Sequence, residues 1–265
     1  MSNIAVPSTI PTLYRTLASL DSYEPSPETN RLFSRLVTLV LSDNGSIDLE
    51  ETAINNLRTI CATAEYRLER HWSGRIVESD DPQTTLAQFP YIENYQRLAV
   101  MEHEGLVETG ASVPDHTAFV GGGPLPLSAL YLANHGWSGT IIDHNPEAVA
   151  LARALISALE TDLSIHLADG AVVDYADYDL IHVAALVGGT EGMAYSIRSR
   201  RQQTPDRFYL LVGPRSSSTP LSTASRRYVR PFSSSPDGST ARRYYQLGGV
   251  LSGVSDSTAA YSHSS

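Results

Sequence analysis

The sequence predicts an α/β protein, with a parallel, doubly wound sheet over residues 113–265 preceded by an all-helical domain over 1–112. Three observations carry this. Apolar residues recur at helical spacing through most of the first 112 residues. From residue 116 onward, short apolar runs alternate with helical patterns, the arrangement expected of βαβ units. Between the first two of those runs lies Val120-Gly121-Gly122-Gly123-Pro124, a glycine turn joining strand to helix, and Asp143 closes the next run 22 residues after Gly121.

Taken in order, Ile10 to Leu20 is a helix carried by Leu13, Tyr14, Leu17 and Leu20, and Pro25 and Pro27 break it. Thr29 to Leu41 repeats the pattern, and Ser42-Asp43-Asn44-Gly45 turns the chain. Glu50 to His71 is a long helix with Ala53, Ile54, Leu57, Ile60, Cys61, Ala64 and Leu68 on one stripe. A break rich in acidic residues is expected from Gly74 to Pro82, then a helix from Thr84 to Glu104 interrupted at Pro90. Thr109 to Asp115 is a Gly/Ser/Pro linker and the expected domain boundary. Strands follow at about 117–120, 139–143, 163–167, 179–184 and 208–212, with two more in 243–262. Helices fall at about 127–135, 146–160 and 190–200, and Ser216 to Ser239 reads as a ligand-covering loop.

Composition narrows the function. At 265 residues, 42% hydrophobic and 18% charged, the chain has enough apolar surface for one large or two small cores. A net charge of −10 argues against a nucleic-acid partner held through phosphates. Cys61 is the only cysteine, so there is no internal disulfide, and it reads as a small core residue. No apolar run of 18 residues and no signal peptide are seen, so the expectation is a cytoplasmic enzyme without a membrane partner. His71, His103, His144 and His182 lack ligand spacing, and no protein-bound metal is expected.

The glycine turn carries the chemistry. Bare backbone at a helix start attracts polar or anionic ligand groups, and a carboxylate about 20 residues on suits ribose hydroxyls. The spacing is not GxGxxG, so a nucleotide or S-adenosylmethionine (SAM) fits better than a dinucleotide. The expected cofactor residues are Gly121, Gly122, Gly123, Pro124 and Leu125 in the first loop, then Asp143 and His144 at the second strand end. Asp169 and Gly170 after the third strand, and Ala184, Ala185 and Leu186 at the end of the fourth, complete a Rossmann-like class I SAM site. Asp169 has a plainer alternative as an ordinary turn residue.

Phe119-Val120-Gly121-Gly122-Gly123-Pro124-Leu125-Pro126-Leu127-Ser128 is more specific than that. It closely resembles the nicotianamine synthases, as do Val183-Ala184-Ala185-Leu186 and Ile76-Val77-Glu78-Ser79-Asp80 with Tyr95 and Glu102 downstream. The resemblance spans roughly residues 45–260 and is closest in character to the bacterial opine-metallophore branch, the staphylopine and pseudopaline type. It implies that an amine attacks the γ-carbon of SAM's aminobutyrate arm and methylthioadenosine leaves. The implied acceptor is the α-amine of histidine, with SAM as donor and no metal required. A downstream opine dehydrogenase is the implied pathway partner, and a homodimer is possible. Alternatives are a nicotianamine synthase proper using several SAM molecules, a small-molecule methyltransferase, or a SAM-binding scaffold without activity.

That chemistry needs a base, because an α-amine is mostly protonated at neutral pH and is then no nucleophile. The resemblance places the base on Glu69 of Leu68-Glu69, nine residues before Glu78-Ser79-Asp80, and a tyrosine near the reacting amine on Tyr95. The plain alternatives are a solvated Glu69 paired with Arg67 or Arg70, and a packed aromatic at Tyr95. Glu65, one turn before Glu69, shares its helix face and is expected to line the pocket with Tyr91. Arg227, with Arg215 and Arg226, could hold a substrate carboxylate from the late loop.

Overall fold

A computed structural model describes residues 7–42, 49–108, 112–184 and 209–212. Its centre is a five-stranded sheet of β1 (Thr117–Val120), β2 (Gly139–Asp143), β3 (Leu163–Leu167), β4 (Leu180–Val183) and β5 (Tyr209–Val212). The order is β3-β2-β1-β4-β5 and every pair is parallel. Each strand lies within a residue of its sequence-predicted bounds. β1 and β4 are buried along their whole length, which is why they read as unbroken apolar runs. Strand order reverses between β1 and β4, so their carboxyl ends open a crevice at the position where such sheets take ligands. The helix expected at 190–200, the loop 216–239 and the strands expected in 243–262 lie outside the described residues.

Helices α6 (Leu127–Ala133) and α7 (Pro146–Ala158) cover one face of the sheet. Leu127, Leu130, Leu155 and Ile156 share a cluster there with Phe119, Ile141 and Leu163. Ala118, Val120, Ile142, Ile181 and Val183 point to the other face and pack with Tyr175.

The first half is helical: α1 (Ile10–Ala18), α2 (Pro27–Ser42), α3 (Glu51–Val77), α4 (Pro82–Ala87) and α5 (Ile92–Glu108). Thr9 caps α1 by accepting the Thr12 N–H, with Pro11 in the first turn. The N-terminal half of α3 packs Leu57, Ile60 and Cys61 against Leu13 and Leu17 of α1 and Leu32 and Leu36 of α2. Its C-terminal half does something different. Trp72 and Ile76 join Phe89, Ala99 and Leu106 in the same cluster as Phe119, Leu127 and Ile141. One core therefore contains residues from both sides of position 112.

The break expected at Gly74 does not occur, and α3 runs on to Val77. A mid-helix glycine costs about 1 kcal/mol. Continuing the helix buries Trp72 and Ile76, and a fully buried side chain of that kind is worth about 1.5–3 kcal/mol. The chain turns only at Glu78-Ser79-Asp80, where Ser79 Oγ accepts the Asp81 N–H at 3.1 Å. Asp81 then caps α4, accepting the Thr84 N–H at 3.0 Å, so that helix starts at Pro82 rather than Thr84.

Candidate active site

The crevice begins at the glycine turn. Gly121 donates to the carbonyl of Ile142 at 2.8 Å, which ties the turn to the end of β2. Gly123 donates to Asp143 Oδ2 at 2.9 Å, and Asn145 donates to Asp143 Oδ1 at 2.9 Å. Asp143 is thus buried, and each of its oxygens already meets one backbone N–H. Gly123 has φ +65°, a conformation that side-chain-bearing residues rarely adopt. A Cβ there would also lie 2.7 Å from Glu69 Oε2. The base candidate on α3 and the glycine turn of the sheet are therefore in direct apposition.

Glu69 does not stand alone. Tyr95 of α5 donates its hydroxyl to Glu65 Oε1 at 3.0 Å and also reaches Glu69. The three side chains keep some access to solvent, yet protein surrounds their polar ends. Burial is the main force raising the Glu69 carboxyl well above the ordinary carboxylate range, and the charges of Glu65 and Asp143 push the same way. Burial also raises Glu65, with the Tyr95 hydrogen bond opposing it. Tyr95 is held well above the usual phenol range by burial and by both glutamates. One turn before Glu65, burial and that carboxylate push the Cys61 thiol up to about 12, which leaves it an inert core residue. Glu65 Oε2 is sealed from solvent and has no hydrogen-bond partner among the described residues.

The arginines flanking Glu69 turn to other carboxylates. Arg67 reaches Glu24 at 2.5 Å, and Arg70 reaches Glu24 at 2.9 Å and Glu147 at 3.4 Å. Both arginines are thus paired with other carboxylates.

The remaining sequence candidates scatter. Pro124 and Leu125 are buried beneath the turn. Ala184 donates to the Val120 carbonyl at 2.9 Å, which holds the end of β4 beside the glycine turn. The His144 side chain is 85% exposed, with Nδ1 3.8 Å from Asp143 Oδ1 at the rim. Asp169 is exposed and accepts the Ala171 N–H at 2.9 Å, the hydrogen bond of a turn residue. The buried Gly170 takes the Tyr175 hydroxyl on its carbonyl at 2.6 Å. Tyr91 packs edgewise on Phe89, whose ring also touches Tyr95. Glu102 pairs at 3.1 Å with His182 of β4, both side chains less than 10% exposed. Ala185, Leu186, Arg215, Arg226 and Arg227 lie outside the described residues.

Sequence reasoning missed what registers α3 on the sheet. Tyr66 donates to Glu147 Oε2 at 2.8 Å and accepts from Asn145 Nδ2 at 3.2 Å. Asn145 meanwhile caps α7, accepting the N–H groups of Glu147 and Ala148. The Asn145-Pro146 pair was a legible cap signal, since a capping side chain followed by proline at the first helical position marks a helix start. Nothing in the sequence pointed to its second bond. Among the described residues no group of three or more His, Cys, Asp or Glu is placed to hold a metal, and no helix is long and apolar enough to cross a membrane.

Comparison with known proteins gives a consistent result. A family model described as nicotianamine synthase protein matches residues 2–197. Nicotianamine synthase 3 of Oryza sativa subsp. indica is 38% identical over 193 residues, 66% of this chain and 56% of that protein. Nicotianamine synthase 3 of Arabidopsis thaliana is 35% identical over 199 residues, 68% of this chain and 61% of that protein. The match thus spans little more than half the length of these curated relatives. Among solved structures, MtNAS in complex with MTA and tNA aligns with a TM-score of 0.63 at 20% identity, over 72% of this chain and 76% of that one. A variant of MtNAS in complex with S-adenosylmethionine aligns with a TM-score of 0.61 over the same shares. At that identity the likeness is one of fold.

Proposed function

The chain belongs to the nicotianamine synthase family, and on that footing we propose that it transfers a 3-amino-3-carboxypropyl group from SAM to the α-amine of histidine, releasing methylthioadenosine. The product would be a nicotianamine-like opine metallophore precursor, passed on to an opine dehydrogenase. The observation that carries the reading is the placement of Glu69, a residue of the helical half, against Gly123 of the glycine turn.

The residues present fit such a donor. The turn at Gly121, Gly122 and Gly123 offers backbone without side chains, and a Cβ at Gly122 would collide with Ile141. Asp143, at the end of β2, has lone pairs left for ribose hydroxyls after its two backbone bonds. When bound, SAM supplies a carbon already activated by its sulfonium, so the protein's task reduces to orientation and one proton transfer. Glu69 takes a proton from the acceptor's ammonium and frees its lone pair. Tyr95, buried and kept as the neutral phenol, fixes the neighbouring carboxylate and shapes the pocket wall. Glu102 and His182 tie α5, the helix that carries Tyr95, to β4.

The test is product identity. Wild-type protein incubated with SAM and each histidine enantiomer should yield methylthioadenosine and aminobutanoyl-histidine in equal amounts by mass spectrometry. S-adenosylhomocysteine as the main nucleoside product would move the chain to methyl transfer.

A further inference from the structure

We propose that in the free enzyme Glu65 and Glu69 hold one proton between them, and that the acceptor's ammonium displaces it, so that Glu65 is the residue that recognises the acceptor as a cation. The inference rests on the aminobutanoyl-transfer reading and adds to it a second acidic residue with its own task.

Its basis is an unmet polar atom. Glu65 Oε1 takes the Tyr95 hydroxyl at 3.0 Å, while Oε2 is sealed from solvent and has no partner among the described residues. A buried carboxylate oxygen left without a donor carries its full desolvation cost. Two things can meet it: a proton on the pair, or an N–H from an incoming molecule. Among the described residues the surroundings offer nothing else. Among these same described residues the titratable groups facing the pair are Cys61 on α3, Tyr95 on α5 and Asp143 on β2, and none of them can supply a positive charge. Asp143 already meets the Gly123 and Asn145 N–H groups. Arg67 and Arg70, the cations nearest in sequence, are taken by Glu24 and Glu147. Two carboxylates one helical turn apart in such a place share a proton, because both cannot stay charged without a countercharge.

An ammonium group is that countercharge. On binding it, the pair gives its shared proton to solvent and stands as two carboxylates. Glu69 then takes one proton from the ammonium. The freed nitrogen lone pair forms the new N–C bond, and the C–S pair leaves with sulfur. The resulting secondary amine keeps two protons and the positive charge, which Glu65 continues to face. An acceptor without a protonated amine would have to leave the shared proton in place and would gain nothing from Glu65.

The experiment is calorimetric titration near pH 7 in two buffers of different ionisation enthalpy. The probe is whichever histidine enantiomer releases methylthioadenosine with the wild type. The wild type should release close to one proton per acceptor bound. Glu65→Gln, with its folding checked by its melting curve, should release less than about a third of that. Its acceptor Kd should rise about 10- to 100-fold, the range for a hydrogen bond to a charged group, with most of the loss in kcat/KM falling in KM. Imidazole lactate, with hydroxyl in place of the amine, should bind wild type and variant alike. A wild type that turns over yet exchanges no proton on binding overturns the proposal alone, and needs no variant to do so. Unchanged acceptor affinity in folded Glu65→Gln overturns it too. If no histidine enantiomer yields methylthioadenosine, the functional reading fails first and the proposal falls with it.

Discussion

Within six residues of α3, two faces follow opposite electrostatic logic. On one, Tyr66, Arg67 and Arg70 meet Asn145, Glu24 and Glu147 in open, mutually paired contacts. On the other, Glu65 and Glu69 are gathered with Asp143 into protein surroundings that raise both glutamates, and one oxygen has no partner among the described residues. The first face is complete as it stands and holds the helix in register. The second sets two carboxylates against each other's charge.

The largest effect that could break this contrast is kinetic. Glu69→Gln keeps shape and removes basicity, and should lower the single-turnover rate about 10²- to 10⁴-fold while SAM affinity holds. The loss should be partly recovered at higher pH, where more of the acceptor is already a free amine. A rate within about threefold of the parent would assign Glu69 to the fixture side of the comparison. Next come two glycines. Gly123→Ala must enter a left-handed conformation, at about 1–2 kcal/mol, and push on Glu69 Oε2, so turnover should fall about tenfold or more. Gly74→Ala, with open space around it in the same helix, should leave turnover alone and stabilise by up to about 1 kcal/mol.

The smallest effects are in stability, and their signs differ between the faces. Burial raises the folded-state affinity of Glu69 for its proton, so above about pH 4.5 the unfolded chain ionises first. The stabilising contribution of the protonated carboxyl is therefore complete below about pH 4.5 and is lost as pH rises through the raised folded value. Glu69→Gln should melt a few degrees above wild type at pH 8 and converge with it near pH 4. Tyr66→Phe removes a bond on the paired face and should melt about 2–4 °C below wild type at both pH values. If the two variants shift in the same direction at pH 8, the contrast between the faces does not hold.

The sheet was legible because fully buried parallel strands appear as short apolar runs between breakers, as at 117–120 and 139–143. The course of α3 was less so. Gly74 signals a break locally, and only the tertiary burial of Trp72 and Ile76 outweighs it. The glycine turn and Asp143 followed from residue chemistry. Glu69 and Tyr95 did not: without the family resemblance, a glutamate flanked by arginines reads as a surface charge. Which way those arginines turn depends on Glu24 and Glu147, 43 residues before Arg67 and 77 after Arg70, and no local pattern encodes that. The unpartnered Glu65 oxygen is legible only once the fold shows what fails to reach it.

At 27 residues and 1.5 Å of rise per residue, α3 is about 40 Å long. One end is anchored among Leu13, Leu17, Leu32 and Leu36, and the other in the core that backs the sheet. Two packed clusters thus share one helix, with Glu65 and Glu69 between them. Fraying of the α1–α2 unit would bring water to Cys61 and then to Glu65 before any strand moved. Hydrogen exchange along α3 should accordingly step from faster to slower between Ala64 and Trp72. A substitution such as Leu13→Ala, which loosens the helical end, should then alter turnover through populations rather than through any contact with the reacting atoms.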